Sequence, residues 1–254
     1  MSLPRGFRNT SLAHRALHDR ATGAVENSPV AIRRAIAAGY GIEIDLQLSR
    51  DGVAMVFHDP ELDRLTDRSG PVSGLDAAEL GRIRLSGTQD TIPTLAEVLD
   101  LVHGQVPVLL ELKDQSGCLG PGPATLERAV ARDLARYAGD VAVMSFNPHV
   151  VAALAAHAPD IPRGLVTSDF PPEKWPAVPE AERARLRRIA DFDTVGASFV
   201  SHYWADLDRP RLAELAARGV PILCWTTKTP DDHAEALKIA ETVTFEGYRP
   251  PPRD

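Results

Sequence analysis

Cysteine is scarce and scattered. The chain has 2 in 254 residues, Cys118 in a Gly-rich loop and Cys224 inside an apolar run. They stand at no metal-type spacing, so a thiolate metal centre is not indicated, and both read as unbridged thiols of a reducing compartment. Long apolar runs are missing as well. No segment approaches membrane-spanning length, and the opening MSLPRGFRNTSLAH is basic without a signal-peptide core, so the expected location is the cytoplasm. Excess positive charge is also lacking. A net charge of −7 argues against nucleic-acid partners and against stable association with an anionic membrane, while leaving room for a small phosphate substrate in a local basic pocket. There is no convincing internal repeat, and the Pro-rich PPEKWPAVPEAE and RPPPRD read as a loop and a tail.

Apolar runs alternate with helical stretches along the whole length. Hydrophobic content of 44% with 25% charged residues supplies a sizeable core. Eight strand candidates stand out: SLAHR, GIEIDLQL, VPVLLELK, DVAVMSF, IPRGLVTS, TVGASFVS, VPILCWTT and TVTFEG. Helical patterns lie between them, from SPVAIRRAIAAG to PDDHAEALKIA, with start signals such as Asn27-Ser28-Pro29. This is the pattern of an α/β TIM (β/α)8 barrel, expected as a single domain over 1–254. One stretch breaks the rhythm. VAMVF reads as an extra strand paired back on its predecessor through Arg50-Asp51-Gly52, and about 59–105 as an insertion after the second barrel strand that covers the mouth.

Charged groups recur where these apolar runs stop. A titratable side chain at the exit of a buried strand loses its hydration unless something binds it, so such exits are candidate sites. Glu43 and Asp45 are two apart in GIEIDLQL, which points both to one face, while Ile42, Ile44, Leu46 and Leu48 point to the other. Two carboxylates so placed repel each other unless a cation lies between them, and oxygen ligands without cysteine suit Mg²⁺ or Ca²⁺. The competing reading is an acidic solvent face. Glu111 and Lys113 repeat the geometry in VPVLLELK: Glu111 completes a three-carboxylate set and Lys113 is a point charge for a phosphate oxygen. A structural ion pair, or a Schiff-base lysine, are the alternatives for Lys113. His14 and His58 each end an apolar run and are followed by Arg15 and Asp59, which fits a complementary proton donor and acceptor. Which imidazole plays which part stays open. Trp225, in CWTTK, is either a wall against a small alcohol or a core residue. Ser145 and Asn147 are explained by helix capping, and His18, His103, His149, His157, His202 and His233 receive no role.

With those residues in place the chain resembles the glycerophosphodiester phosphodiesterase family. The matching text is AHRA, ENSPVAIRRAIAAGYGIEIDLQLSRDGVAMVFHD, LDRLTDRSG, IPTLAEVL, LLELK, MSFNP and CWTT, in order across nearly the whole chain. The resemblance implies a TIM barrel that hydrolyses glycerophosphodiesters to sn-glycerol 3-phosphate and an alcohol. It implies His14 and His58 as the acid/base pair, Glu43, Asp45 and Glu111 as ligands of a divalent metal, and Arg15 and Lys113 as phosphate contacts. A phospholipase D-type relative forming a cyclic phosphate, and a barrel that binds a phosphorylated ligand without turnover, are the alternatives. Two departures from the family pattern stand out: Ala16 where a glycine usually follows His-Arg, and TVTFEGYRP at the last strand, with Glu246 and Tyr248 in place of the usual aspartate before proline. The leaving alcohol, the cation used and the oligomeric state stay open at this level.

Overall fold

Strand alternation decides what this chain places inside and outside its sheet. The computed structural model describes residues 2–251. Among them, nine strands form one sheet: β1 (Leu12–Ala13), β2 (Gly41–Leu48), β3 (Ala54–Val56), β4 (Val108–Leu112), β5 (Val141–Ser145), β6 (Arg163–Thr167), β7 (Phe199–Tyr203), β8 (Ile222–Thr227) and β9 (Thr242–Phe245). β1, β2 and β4 to β9 pair in parallel in that order, and β9 pairs back on β1, closing a barrel of eight strands. All eight strands expected from the sequence are present. β3 is the extra strand, antiparallel on β2 with Leu46 opposite Val56. The turn before it needs a left-handed residue, supplied by Gly52 at φ 82°.

Helices α1 (Pro29–Ala37), α3 (Leu95–Val102), α4 (Thr125–Leu134), α5 (Pro148–His157), α6 (Glu180–Arg187), α7 (Pro210–Ala217) and α8 (Pro230–Ala236) cross over between barrel strands, and the short α2 (Ala77–Leu80) lies apart. Ser28 caps α1 by accepting from the Ala31 N–H, with Pro29 at the first helical position, which is why the chain turns helical there. Ile42, Ile44 and Leu46 face outward and bury against Ile32 and Ala35 of α1 and Leu95, Val98 and Leu99 of α3. The opposite series, Glu43, Asp45 and Gln47, is buried inside. Deeper in the barrel Leu12, Leu109, Ala142, Met144, Val166, Phe199 and Leu223 pack together, and Leu3 and Phe7 plug that apolar floor. Phe7 is fully buried, worth about 2 kcal/mol by area, and its carbonyl accepts a 2.6 Å hydrogen bond from Thr242 Oγ1.

Between β3 and α3 the chain leaves the repeat. This segment has its own small core of Phe57, Leu62, Leu65, Val72, Leu80, Ile83, Leu85 and Ile92, joined by Met55 and Val25. Arg50 ties it to the β2–β3 turn through Asp76, Glu79 and the Gly74 carbonyl. α3 belongs instead to the outer ring, packed on α1 and α4. The irregular part therefore ends before Leu95, short of residue 105: TLAEVLDLV is a crossover helix. Among the described residues no helix is long and apolar enough to cross a membrane. Cys118 is exposed and Cys224 is buried, with no disulfide between them.

Candidate active site

Parallel register brings the inward carboxylates together. Asp45 of β2 lies opposite Glu111 of β4, and Glu43 sits one inward position below Asp45. Their ligand oxygens all lie within 4.8 Å of one another, at 2%, 1% and 8% exposure for Glu43, Asp45 and Glu111. That burial removes the acidic-solvent-face reading. Burial first, then the neighbouring carboxylates of Asp45 and Glu111, pushes Glu43 well above the usual carboxylate range. Burial opposes charge on Asp45 too, but Lys113, His58, Arg15 and His14 outweigh it and hold this carboxylate below its ordinary value. Both imidazoles and both cations thus act on one carboxylate, which places all of them at one end of the barrel.

Lys113 Nζ bonds Asp45 Oδ1 at 2.7 Å and Glu111 Oε1 at 2.6 Å. Burial works against its charge, yet those two carboxylates raise it above the ordinary lysine value. A Schiff-base lysine needs the opposite shift, so the structure disfavours that alternative, while the ion-pair alternative is realised. Arg15 donates from its backbone N–H to Glu43 Oε2 at 3.0 Å and from Nη1 to Glu26 Oε1 at 2.7 Å, with Nε 3.6 Å from Asp45. The backbone hydrogen bond depends on an unusual local path. Arg15, Ala16 and Asn27 have φ of 52°, 65° and 60°, the left-handed region that glycine enters without cost. Ala16 therefore occupies a position that favours glycine, consistent with the family pattern it departs from. Asn27 returns a hydrogen bond from Nδ2 to Asp45 Oδ2 at 2.9 Å.

Each histidine is anchored by a carboxylate on Nδ1. His14 Nδ1 lies 2.7 Å from Glu246 Oε2, and His58 Nδ1 lies 2.5 Å from Asp59 Oδ1. The two anchors differ. Asp59 is clasped by Arg64, which also bridges to Glu26, so much of its charge is already neutralised. Glu246 meets the exposed Lys228 at 3.3 Å besides His14, with His18 also near, and the hydrogen bond from His14 holds it down to about 2. Burial, and then the Lys113 ammonium, push His58 below its ordinary value. Glu246 thus has a partner, and the departure at the last strand becomes a feature of the site. Gln47 holds the other histidine's backbone by donating to the His58 carbonyl at 3.0 Å.

The far side of the mouth is aromatic. Trp225 stands edge-on to Phe146 at 5.4 Å and near Tyr203 at 5.6 Å, and Phe146 meets Trp175 at 5.0 Å. Trp225 donates from Nε1 to the Ser201 carbonyl at 3.2 Å and also lines a cavity with His14, Arg15 and Glu246. It is both packed and adjacent to the charged groups. Asn147 caps α5 through the His149 N–H, as expected, and Ser145 donates to the Leu112 carbonyl. Among residues not singled out from sequence, Glu26, Asn27 and Arg64 belong to the site. Asn27 was legible only as a helix-start signal, and Arg64 sits in a run with no periodicity.

The sequence pattern of the Glycerophosphoryl diester phosphodiesterase family matches residues 14–242. The glycerophosphodiester phosphodiesterase of Caldanaerobacter subterraneus subsp. tengcongensis is 30% identical over 226 residues, covering 84% of each chain. Glycerophosphodiester phosphodiesterase 1 of Bos taurus is 25% identical over 89% of this chain and 73% of its own length. Among solved structures, a phosphodiesterase of Oleispira antarctica in complex with the product sn-glycerol-3-phosphate superposes with a TM-score of 0.74 at 24% identity, over 96% of this chain and 93% of its own. A glycerophosphodiester phosphodiesterase of Thermotoga maritima gives 0.70 at 20% identity, over 92% and 93%. Those two likenesses concern the fold. The family match over most of the chain makes the protein a phosphoric diester hydrolase: it belongs to the glycerophosphoryl diester phosphodiesterase family.

Proposed function

We propose that the protein hydrolyses glycerophosphodiesters to sn-glycerol 3-phosphate and an alcohol, at a centre where Glu43, Asp45 and Glu111 hold Mg²⁺ or Ca²⁺. The observation that carries this reading is the convergence of three buried carboxylates with two imidazoles, each fixed on a carboxylate through Nδ1. The donor set fits a hard cation, being oxygen-only and self-repelling: burial and the neighbouring Asp45 and Glu111 carboxylates push Glu43 upward, and compensating positive charge between them would relieve that. Held by Glu43, Asp45 and Glu111, such a cation would supply Lewis-acid polarisation of the phosphoryl group. His58, pushed below its ordinary value by burial and donating Nδ1–H to Asp59, leaves Nε2 to accept the proton of the attacking water, or of a substrate hydroxyl whose cyclic phosphate a second water then opens to glycerol 3-phosphate. His14, fixed on the Glu246 carboxylate through Nδ1, donates from Nε2 to the leaving alkoxide as its P–O bond breaks. Arg15 and Lys113 supply positive charge beside the triad for the oxygens of the phosphoryl group. Trp225, with Phe146 and Tyr203, forms the wall for the alcohol. The test is an assay of a glycerophosphodiester panel with EDTA and metal add-back. Release of glycerol 3-phosphate, lost in EDTA and restored by Mg²⁺ or Ca²⁺, is expected; metal-independent turnover refutes the centre.

A further inference from the structure

One recess beside the site is not lined by the three-carboxylate centre. A cavity of about 550 Å³ lies behind the His14–Glu246 pair, between the segment after β1 and the segment after β9. That volume falls in the range of roughly 300–1,000 Å³ that small-molecule sites occupy. Its floor is apolar, with Leu17, Phe245 and Tyr248, and its rim carries Arg20, Arg34 and Arg249.

Three observations give this recess a chemistry. Among the described residues the guanidinium groups of Arg20 and Arg249 have no hydrogen-bond or ion-pair partner, whereas nearly every other cation near the mouth is paired. His18 lines the same recess, and its Nε2 is buried without a hydrogen-bond partner, an atom that a ligand would satisfy. Both walls are also fixed in advance. On one side Arg34 grips Thr22 at 2.6 and 2.9 Å, holding the turn that presents Arg20. On the other, Tyr248 bonds Thr227 at 2.7 Å and His233 at 2.8 Å, and Tyr40 donates to the Pro250 carbonyl at 2.6 Å, bracketing Arg249. Two carboxylates also line the recess, but Asp19 already accepts from the Ala21 N–H and Glu246 from His14, so the two guanidinium groups left without a partner among the described residues favour a small anion.

We propose that this cavity is a second anion site, which takes a phosphate or phosphomonoester group on Arg20 and Arg249 with His18 Nε2 as a further hydrogen-bond partner. Planar guanidinium groups match phosphate oxygens, and the apolar floor accommodates a short carbon chain. The recess shares the His14–Glu246 pair as one wall with the reaction centre, but the anion contacts proposed here, Arg20, Arg249 and His18, take no part in the reaction assigned there.

Equilibrium binding of inorganic phosphate, and separately of sn-glycerol 3-phosphate, to the full chain in EDTA tests it. Replacing both guanidinium groups (R20A with R249A) is expected to weaken binding about tenfold or more, with basal phosphodiester turnover unchanged. Arg20→Gln alone, an exposed change, should weaken it in the same direction, while Lys113→Ala should retain it. Tighter binding of the ester assigns the site to phosphomonoesters, and equal binding to free phosphate. Failure of the wild-type chain to bind either anion overturns the proposal, as does binding abolished by Lys113→Ala but retained without Arg20 and Arg249.

Discussion

The mouth of this barrel has two unlike halves. Strands β9, β1, β2 and β4 present His14, Glu246, Glu43, Asp45, Glu111 and Lys113: His14 pairs with Glu246, Lys113 with Asp45 and Glu111, and Glu43 accepts from the Arg15 N–H. Strands β5 to β8 present Phe146, Tyr203 and Trp225, joined by Phe170 and Trp175, held by ring contacts of 5.0 to 6.1 Å. The charged half is expensive to bury and earns stability only through mutual pairing. The aromatic half is stabilised by burial itself. In the reaction proposed above, the charged diester would engage the first half and the alcohol the second.

The comparison is broken most directly on the charged side. His58→Ala should lower turnover by about 10²- to 10⁴-fold in steady-state kinetics without loss of the fold, because proton transfer there has no substitute. Near-wild-type rates would assign that proton to another group. On the aromatic side the clearest effect concerns pH and stability. His202 of β7 is fully buried with Nδ1 2.7 Å from Thr167 Oγ1, and burial, then Arg209, lowers it to about 4. A lowered folded value means that the unfolded chain takes up the proton first. The His202 contribution is complete above pH about 6.5 and is lost as the pH falls towards 4, on the order of 3 kcal/mol. Urea unfolding of the wild type and His202→Gln across that window should show the acid-dependent loss shrinking in the variant; equal slopes would remove this assignment. The smallest effect sharpens the division of labour. Trp225→Ala should raise KM for diesters of bulkier apolar alcohols about tenfold while leaving turnover of small ones nearly unchanged.

The barrel was legible because its signals are local and repeated. Ile42, Ile44 and Leu46 alternate with Glu43 and Asp45, and that alternation alone assigns the helix-facing and inward sides. The carboxylates and His14, His58, Arg15 and Lys113 were visible because a charge at the end of an apolar run is conspicuous. What anchors them was not. Glu246 is 232 residues from His14, and Arg64 reaches Glu26 across 38 positions, pairings that only the closed cylinder creates. The extent of the insertion was overestimated because the crossover helix α3 follows irregular turns rather than a strand, so periodicity gave no boundary.

The shortness of β1 has a mechanical consequence. Only Leu12 and Ala13 stitch the first strand to β2 and β9, helped by the His14 N–H on the Phe245 carbonyl at 2.9 Å and the Ala16 N–H on the Glu43 carbonyl at 3.0 Å. The seam of the cylinder and the mounting of the His14 imidazole are the same few peptide groups. Fraying at that seam would part His14 from Glu246, so activity that rests on His14 is expected to be lost at a local opening rather than only at global unfolding.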